Sequence, residues 1–172
     1  MSVDLFLFYM AATISLVSTI LSLTRYNATH ALIYLIISLL ASAIIFYLVG
    51  APFAAVLEVV IYAGAIMVLF VFVVMMLNLG SRGNTLEHEW LKPGMWVFPA
   101  ILCLILFAIM VYMLSGPSHL LSGTVVTPKE VGIQLYGPYV LAVEIASMLL
   151  LAGLVGAYHL GRNYLSDARS DS

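Results

Sequence analysis

The chain has 172 residues, of which 64% are hydrophobic and only 8% are charged, with a formal net charge of -2. A typical soluble domain is about 45–50% apolar and about 25% charged, so the composition excludes soluble enzymes, nucleic-acid-binding proteins and disordered chains. The single cysteine, Cys103, excludes an internal disulfide framework and a cysteine-based zinc or iron–sulfur site. The sequence therefore predicts an integral membrane protein that is surrounded by lipid and binds no metal ion.

Five apolar stretches lie between the charged residues, and each is long enough to cross a bilayer, which takes about 20 residues. Helices are expected because lipid offers backbone groups no hydrogen-bond partners. The sequence predicts an all-α integral membrane protein with five transmembrane helices and no soluble domain. Residues 1–172 form a single polytopic membrane domain, with spans at about residues 3–23, 28–49, 52–77, 94–114 and 138–160.

The connections between the spans differ in length. The first span is interpreted as a retained helix, because no basic segment precedes it and no small-residue cleavage site follows it. Residues 26–27 and 50–51 are predicted to form tight connections between antiparallel helices. Residues 81–92 form a short polar loop, and residues 115–137 form the longest loop.

Lysine and arginine are distributed unequally between the two sides of the predicted membrane. One side holds five of them, and the other holds only Lys129. Because cytoplasmic loops carry the excess of basic residues, the bias predicts an N-terminus outside and a cytoplasmic C-terminus. The five residues on the cytoplasmic side are Arg25, Arg82, Lys92, Arg162 and Arg169.

Glu58 and Glu144 are the acidic residues inside the predicted spans. A charge in hydrocarbon is costly, so an intramembrane carboxylate is a candidate functional group. Each follows a proline by six residues, Pro52 and Pro138, which are both predicted to begin a helix. The alternative is that each carboxylate reaches the membrane interface or forms a structural hydrogen bond.

The third span carries the most informative pattern. At about 26 residues it is longer than the hydrocarbon core requires, so it is predicted to tilt, bend or contain a bulge. Gly64 lies near its centre and is a point at which a helix is easily distorted. Tyr62 lies one helical turn from Glu58. The alternative is that the small residues here form a packing notch between helices.

The segment 57–78 resembles one family. Its sequence, LEVVIYAGAIMVLFVFVVMMLN, is similar to that of the J subunits of bacterial NADH:quinone oxidoreductase, respiratory complex I, whose mitochondrial counterpart is chain 6. Further similarity lies in residues 30–40, 131–136 and 143–151, which read HALIYLIISLL, VGIQLY and VEIASMLLL. The resemblance covers spans 1–3 and 5, while span 4 matches only in hydropathy and length.

The resemblance implies a membrane-arm subunit of this proton-pumping, NADH-oxidising complex of the respiratory chain, in the bacterial inner (plasma) membrane. Its partners would be the quinone-site subunit, the small K-type subunit and the antiporter-like subunits. The chain would carry no redox centre, and NADH, FMN, iron–sulfur clusters and a quinone such as ubiquinone would bind elsewhere in the complex. Glu58, Tyr62 and Gly64 match family positions in a third helix whose movement is thought to gate a water path for protons.

Two classes of function remain open at this point. The first is this non-catalytic proton-path subunit of a redox-driven pump. The second is a stand-alone membrane protein, either a small transporter or a haem-carrying anchor that uses His30 and His159. A transporter usually has repeats and several buried polar groups, and neither feature is found in this sequence.

Overall fold

The protein is described by a computed structural model at residues 3–25, 28–76, 93–115 and 124–170. Within these ranges, five helices are long and apolar enough to span a membrane, which confirms the predicted fold class. Membrane helix 1 is Val3–Thr24, membrane helix 2 is Ala28–Leu48, and membrane helix 4 is Pro93–Ser115. Membrane helix 3 runs over Pro52–Met76 and membrane helix 5 over Val140–Ser170. The loop predicted at 81–92 and the predicted end of span 3 at residue 77 lie outside the described residues.

The buried core of the first 126 residues is built by membrane helices 1, 2 and 4. Each helix buries apolar residues at spacings of three and four, which place them on one side of an α-helix. Membrane helix 3 buries only two small residues among those described, Ala55 and Ala63. It therefore lies at the edge of this unit. The core residues include Leu7, Ala11 and Ile14 from helix 1, Tyr34, Ile37 and Ala41 from helix 2, and Leu102, Leu106 and Ile109 from helix 4.

Membrane helices 1 and 2 are also joined by hydroxyl groups. The Thr19 Oγ1 and Ser38 Oγ atoms are 2.7 Å apart, and Ser15 Oγ lies 3.3 Å from both Ser38 Oγ and Ser42 Oγ. Small polar residues let two membrane helices approach closely and hydrogen-bond across their interface. Ser38 and Ser42 therefore form a packing face that fixes helix 2 on helix 1.

The connection between membrane helices 2 and 3 is short, as the sequence predicts. Gly50 adopts a φ of 93°, a left-handed conformation that glycine takes readily. Its N–H donates to the Tyr47 carbonyl, and the Ala51 N–H donates to the Phe46 carbonyl. This pair of bonds is the Schellman helix ending, and Pro52 then begins the next helix. The Val126 N–H donates to the Gly50 carbonyl at 2.8 Å.

Residues 127–172 form a second compact unit, in which two sequence predictions need correction. The expected loop contains a helix, Pro128–Leu135, whose N-terminus is closed by a reciprocal capping box between Thr127 and Glu130. Pro138 does not begin membrane helix 5. It lies in the turn 136–139, and the helix begins at Val140.

Candidate functional site

The middle of membrane helix 3 is a π-helix, Glu58–Ile66, between two α-helical segments, Pro52–Leu57 and Met67–Met76. At its end the Met67 N–H reaches back to the Tyr62 carbonyl, five residues earlier, where an α-helix would reach back four. π-Helical turns insert extra residues into the α-helical register and are frequent at functional sites. The predicted site residues Glu58, Tyr62 and Gly64 all lie in this segment.

Gly64 has a geometric role in the π-helix. A Cβ atom added at this position would lie 3.0 Å from the carbonyl oxygen of Val59, five residues earlier. That contact is too close to form without a shift of the backbone. Glycine at this position therefore avoids a tight contact with the Val59 carbonyl. The small residue that the segment buries is instead the neighbouring Ala63, which is only 6% exposed.

The two polar side chains of the π-helix, those of Glu58 and Tyr62, are partly exposed. The Tyr62 side chain is 51% exposed, and Glu58 is half-buried at the first residue of the segment. Neither the Glu58 carboxylate nor the Tyr62 hydroxyl forms a hydrogen bond to another residue in the described part of the chain. A carboxylate and a phenol at bilayer depth require hydrogen-bonding partners. Water or another subunit can supply them.

An apolar cleft of about 940 Å³ lies beside the π-helix, between membrane helices 2, 3 and 4. Val59 and Val60 line it from the π-helix, and Val56 lines it from the α-helical turn before. Tyr47 and Cys103 contribute from the other two helices. Because protein interiors are close-packed, an open apolar cleft of this size can be filled by lipid or by another subunit.

Glu144 lies in the second unit, on membrane helix 5, and is exposed. It is the fifth residue of that helix, about 6 Å along its axis at 1.5 Å per residue. Its backbone carbonyl accepts a hydrogen bond of 2.7 Å from Ser147 Oγ. Glu144 is thus a candidate polar site of its own, separate in the sequence from the π-helix.

The sequence shows the glycine and the tyrosine, but not the carbonyl oxygen that lies close to position 64. The carbonyl of Val59 carries no side-chain signal, and its approach to Gly64 follows from the π-helical register alone. In the sequence, the contact is indicated only by the spacing of five residues between Val59 and Gly64.

Comparison with known proteins decides the family. The family model described as NADH-ubiquinone/plastoquinone oxidoreductase chain 6 matches residues 18–160. The chain belongs to this family. The match runs through membrane helix 4 as well, which the quoted motifs did not cover.

Curated relatives in the chain 6 family agree over nearly the whole length. NADH-quinone oxidoreductase subunit J of Escherichia coli (strain K12) is 53% identical over 97% of this chain and 94% of the relative. Subunit J of Pseudomonas aeruginosa is 57% identical over 91% and 96%, and that of Buchnera aphidicola subsp. Schizaphis graminum is 49% identical over 91% and 97%. Membership makes the chain a multi-pass subunit of an oxidoreductase complex, as the resemblance implied.

Proposed function

We propose that this chain helps couple quinone reduction to proton translocation in respiratory complex I, and that membrane helix 3 is its moving part. The observation that carries the proposal is the π-helix Glu58–Ile66 in a chain whose relatives are NADH-quinone oxidoreductase subunits. A π-helical turn is a register that a helix can gain or lose while both of its ends remain helical. Such a change is a conformational switch between two discrete states.

The switch acts by rotation. Removing one inserted residue turns everything on one side of it by roughly 100°, because an α-helix completes a turn in 3.6 residues. The exposed side chains Val68, Phe70 and Phe72 follow the π-helix and would swing with it. In one state they exclude water from the surroundings of Tyr62, and in the other they admit it.

The polar residues of the segment have different parts in this mechanism. The Tyr62 hydroxyl can both donate and accept a hydrogen bond, so it relays protons along a file of water. Glu58 lies about 9 Å along the helix from Gly64, the central residue of the span, and sets the local electric field rather than supplying an essential proton site. Gly64 permits the change of register, because a glycine adds no side-chain obstacle.

We propose further that the chain carries no redox centre. NADH, FMN, iron–sulfur clusters and quinone would be bound by other subunits, and this subunit would contribute to activity without being catalytic alone. Its direct neighbours would be the quinone-site subunit, the K-type subunit and the antiporter-like subunits of the membrane arm. This assignment rests on the resemblance and on the names of the relatives.

Native co-purification tests this assignment. A tag on this chain should bring down the membrane-arm subunits and the NADH-oxidising arm, identified by mass spectrometry of the intact complex. The chain released from that complex should show no Soret absorption. A chain that purifies alone and carries haem would overturn the proposal and support the stand-alone anchor.

The proposed orientation places the N-terminus outside the bacterial inner membrane and the C-terminus in the cytoplasm. A reporter enzyme that works only in the cytoplasm should be inactive when fused between Ser115 and Gly137. The same reporter should be active when fused between residues 81 and 92, because the basic side stays inside. The reverse pattern of activity would refute the orientation.

A further inference from the structure

The carboxylate of Glu144 lies where hydrocarbon is expected. Membrane helix 5 has an apolar stretch, Val140–Gly161, of 22 residues. That is about 33 Å of helix, close to the thickness of the hydrocarbon core. Glu144 is inside one end of the stretch, and none of the stretch is buried within its own unit. Intramembrane carboxylates almost always have a partner, so the partner of Glu144 has to be identified.

This chain offers no cation to pair with Glu144 inside the membrane. Its six basic residues all lie outside the five membrane-spanning stretches. Lys129 is the nearest of them in the sequence, in the helix before membrane helix 5, and it forms no ion pair with Glu144 in the described part of the chain. A cation that pairs with Glu144 at its own depth therefore has to come from another chain.

The surroundings of Glu144 on its own helix form a continuous surface. Residues at spacings of three and four share one side of an α-helix, and Ser147, Leu151, Val155 and Tyr158 follow Glu144 at these spacings. We call these five residues the Glu144 face. The three apolar members, Leu151, Val155 and Tyr158, are each more than half exposed. The face thus combines one charge with a long apolar surface.

We propose that the Glu144 face docks against a transmembrane helix of another subunit, and that this helix carries a lysine or arginine at the depth of Glu144. The charge fixes the depth and identity of the partner helix, and the apolar residues beyond it provide the packing. The inference rests on the chain being a subunit of a complex. It does not depend on movement of membrane helix 3.

Removing the charge distinguishes docking from exposure to lipid, because the two predict opposite results. If Glu144 pairs with a cation, Glu144→Leu leaves that cation unpaired, and several-fold less chain should remain in the complex on native gels as detergent is raised. Glu144→Gln should give a smaller loss, and Glu144→Asp, which keeps the charge, the smallest. Glu144→Leu should insert into the membrane at least as well as the natural chain, since it removes a charge from the span.

Two leucine-to-alanine substitutions on membrane helix 5 give a matched pair of test and control. Leu151→Ala lies on the Glu144 face, whereas Leu149→Ala lies on the far side, and both leucines are well exposed. The proposal predicts weaker retention for Leu151→Ala than for Leu149→Ala. Retention of Glu144→Leu equal to or better than that of the natural chain would show that Glu144 faces lipid, and would overturn the proposal. The readout is retention in the complex, so this failure would leave the proposed role of helix 3 in coupling unaffected.

Discussion

Gly64→Val is expected to reduce quinone reduction and proton pumping together, without loss of assembly. The new Cβ atom would lie 3.0 Å from the Val59 carbonyl oxygen, so the backbone of the π-helix has to give by a few tenths of an ångström. Forcing extra atoms into a packed site typically costs about 1–3 kcal/mol. If that cost falls on one of the two states of the switch, the coupled rate should fall about tenfold, since 1.36 kcal/mol corresponds to a factor of ten.

The measurement is the quinone reductase rate together with proton uptake in the assembled mutant enzyme. Ala65→Val is the matched control, because the neighbouring residue is exposed and already has a Cβ atom. Tyr62→Phe should slow pumping by removing the relay hydroxyl, and Glu58→Gln should have a smaller effect than Gly64→Val. Full activity in both Gly64→Val and Tyr62→Phe would show that helix 3 contributes packing and does not act as a gate.

Removing the chain altogether should abolish quinone-coupled proton pumping. The soluble arm should still oxidise NADH with artificial electron acceptors, because the proposed role of this subunit lies in the membrane and involves no redox centre. The comparison is between the two activities in membranes that lack the chain, with the natural chain supplied from a plasmid as the control. Loss of electron transfer to artificial acceptors, while the peripheral arm is still assembled, would show that the subunit also affects NADH oxidation and does not act in coupling alone.

The isolated chain is not expected to reproduce either activity. Membrane helices 3 and 5 have extensive exposed apolar surfaces, and their carboxylates find no cation within the membrane-spanning part of this chain. Surfaces of this kind are completed by neighbouring helices in an assembly.

The number of membrane helices could be predicted from the sequence because the signal is strong and local. Charged residues are few and lie mostly between the apolar stretches, and the Gly50–Ala51 connection separates spans 2 and 3. A bulge in helix 3 was one of three predicted outcomes, since a span longer than the bilayer requires must tilt, bend or contain a bulge. The extent of the π-helix, Glu58–Ile66, was not, because it depends on which backbone carbonyls pair along nine residues.

Two features of the second unit were missed for identifiable reasons. The helix Pro128–Leu135 is short and moderately polar, so hydropathy did not reveal it, although Thr127 and Glu130 have capping-box spacing. Pro138 was expected to begin membrane helix 5 because proline favours the first turn of a helix. The turn at 136–139 occupies that position, and the helix begins two residues later.

The most direct test of the account is whether the part of helix 3 beyond the π-helix rotates during turnover. Phe70→Cys, in a chain carrying Cys103→Ser, places a thiol after the π-helix, and Val56→Cys places one before it. Labelling by a water-soluble thiol reagent is then quantified by mass spectrometry in the assembled complex, during turnover and after inhibition at the quinone site. We predict that labelling at position 70 changes several-fold between the two conditions while labelling at position 56 does not. Equal labelling at position 70 in both conditions would contradict it.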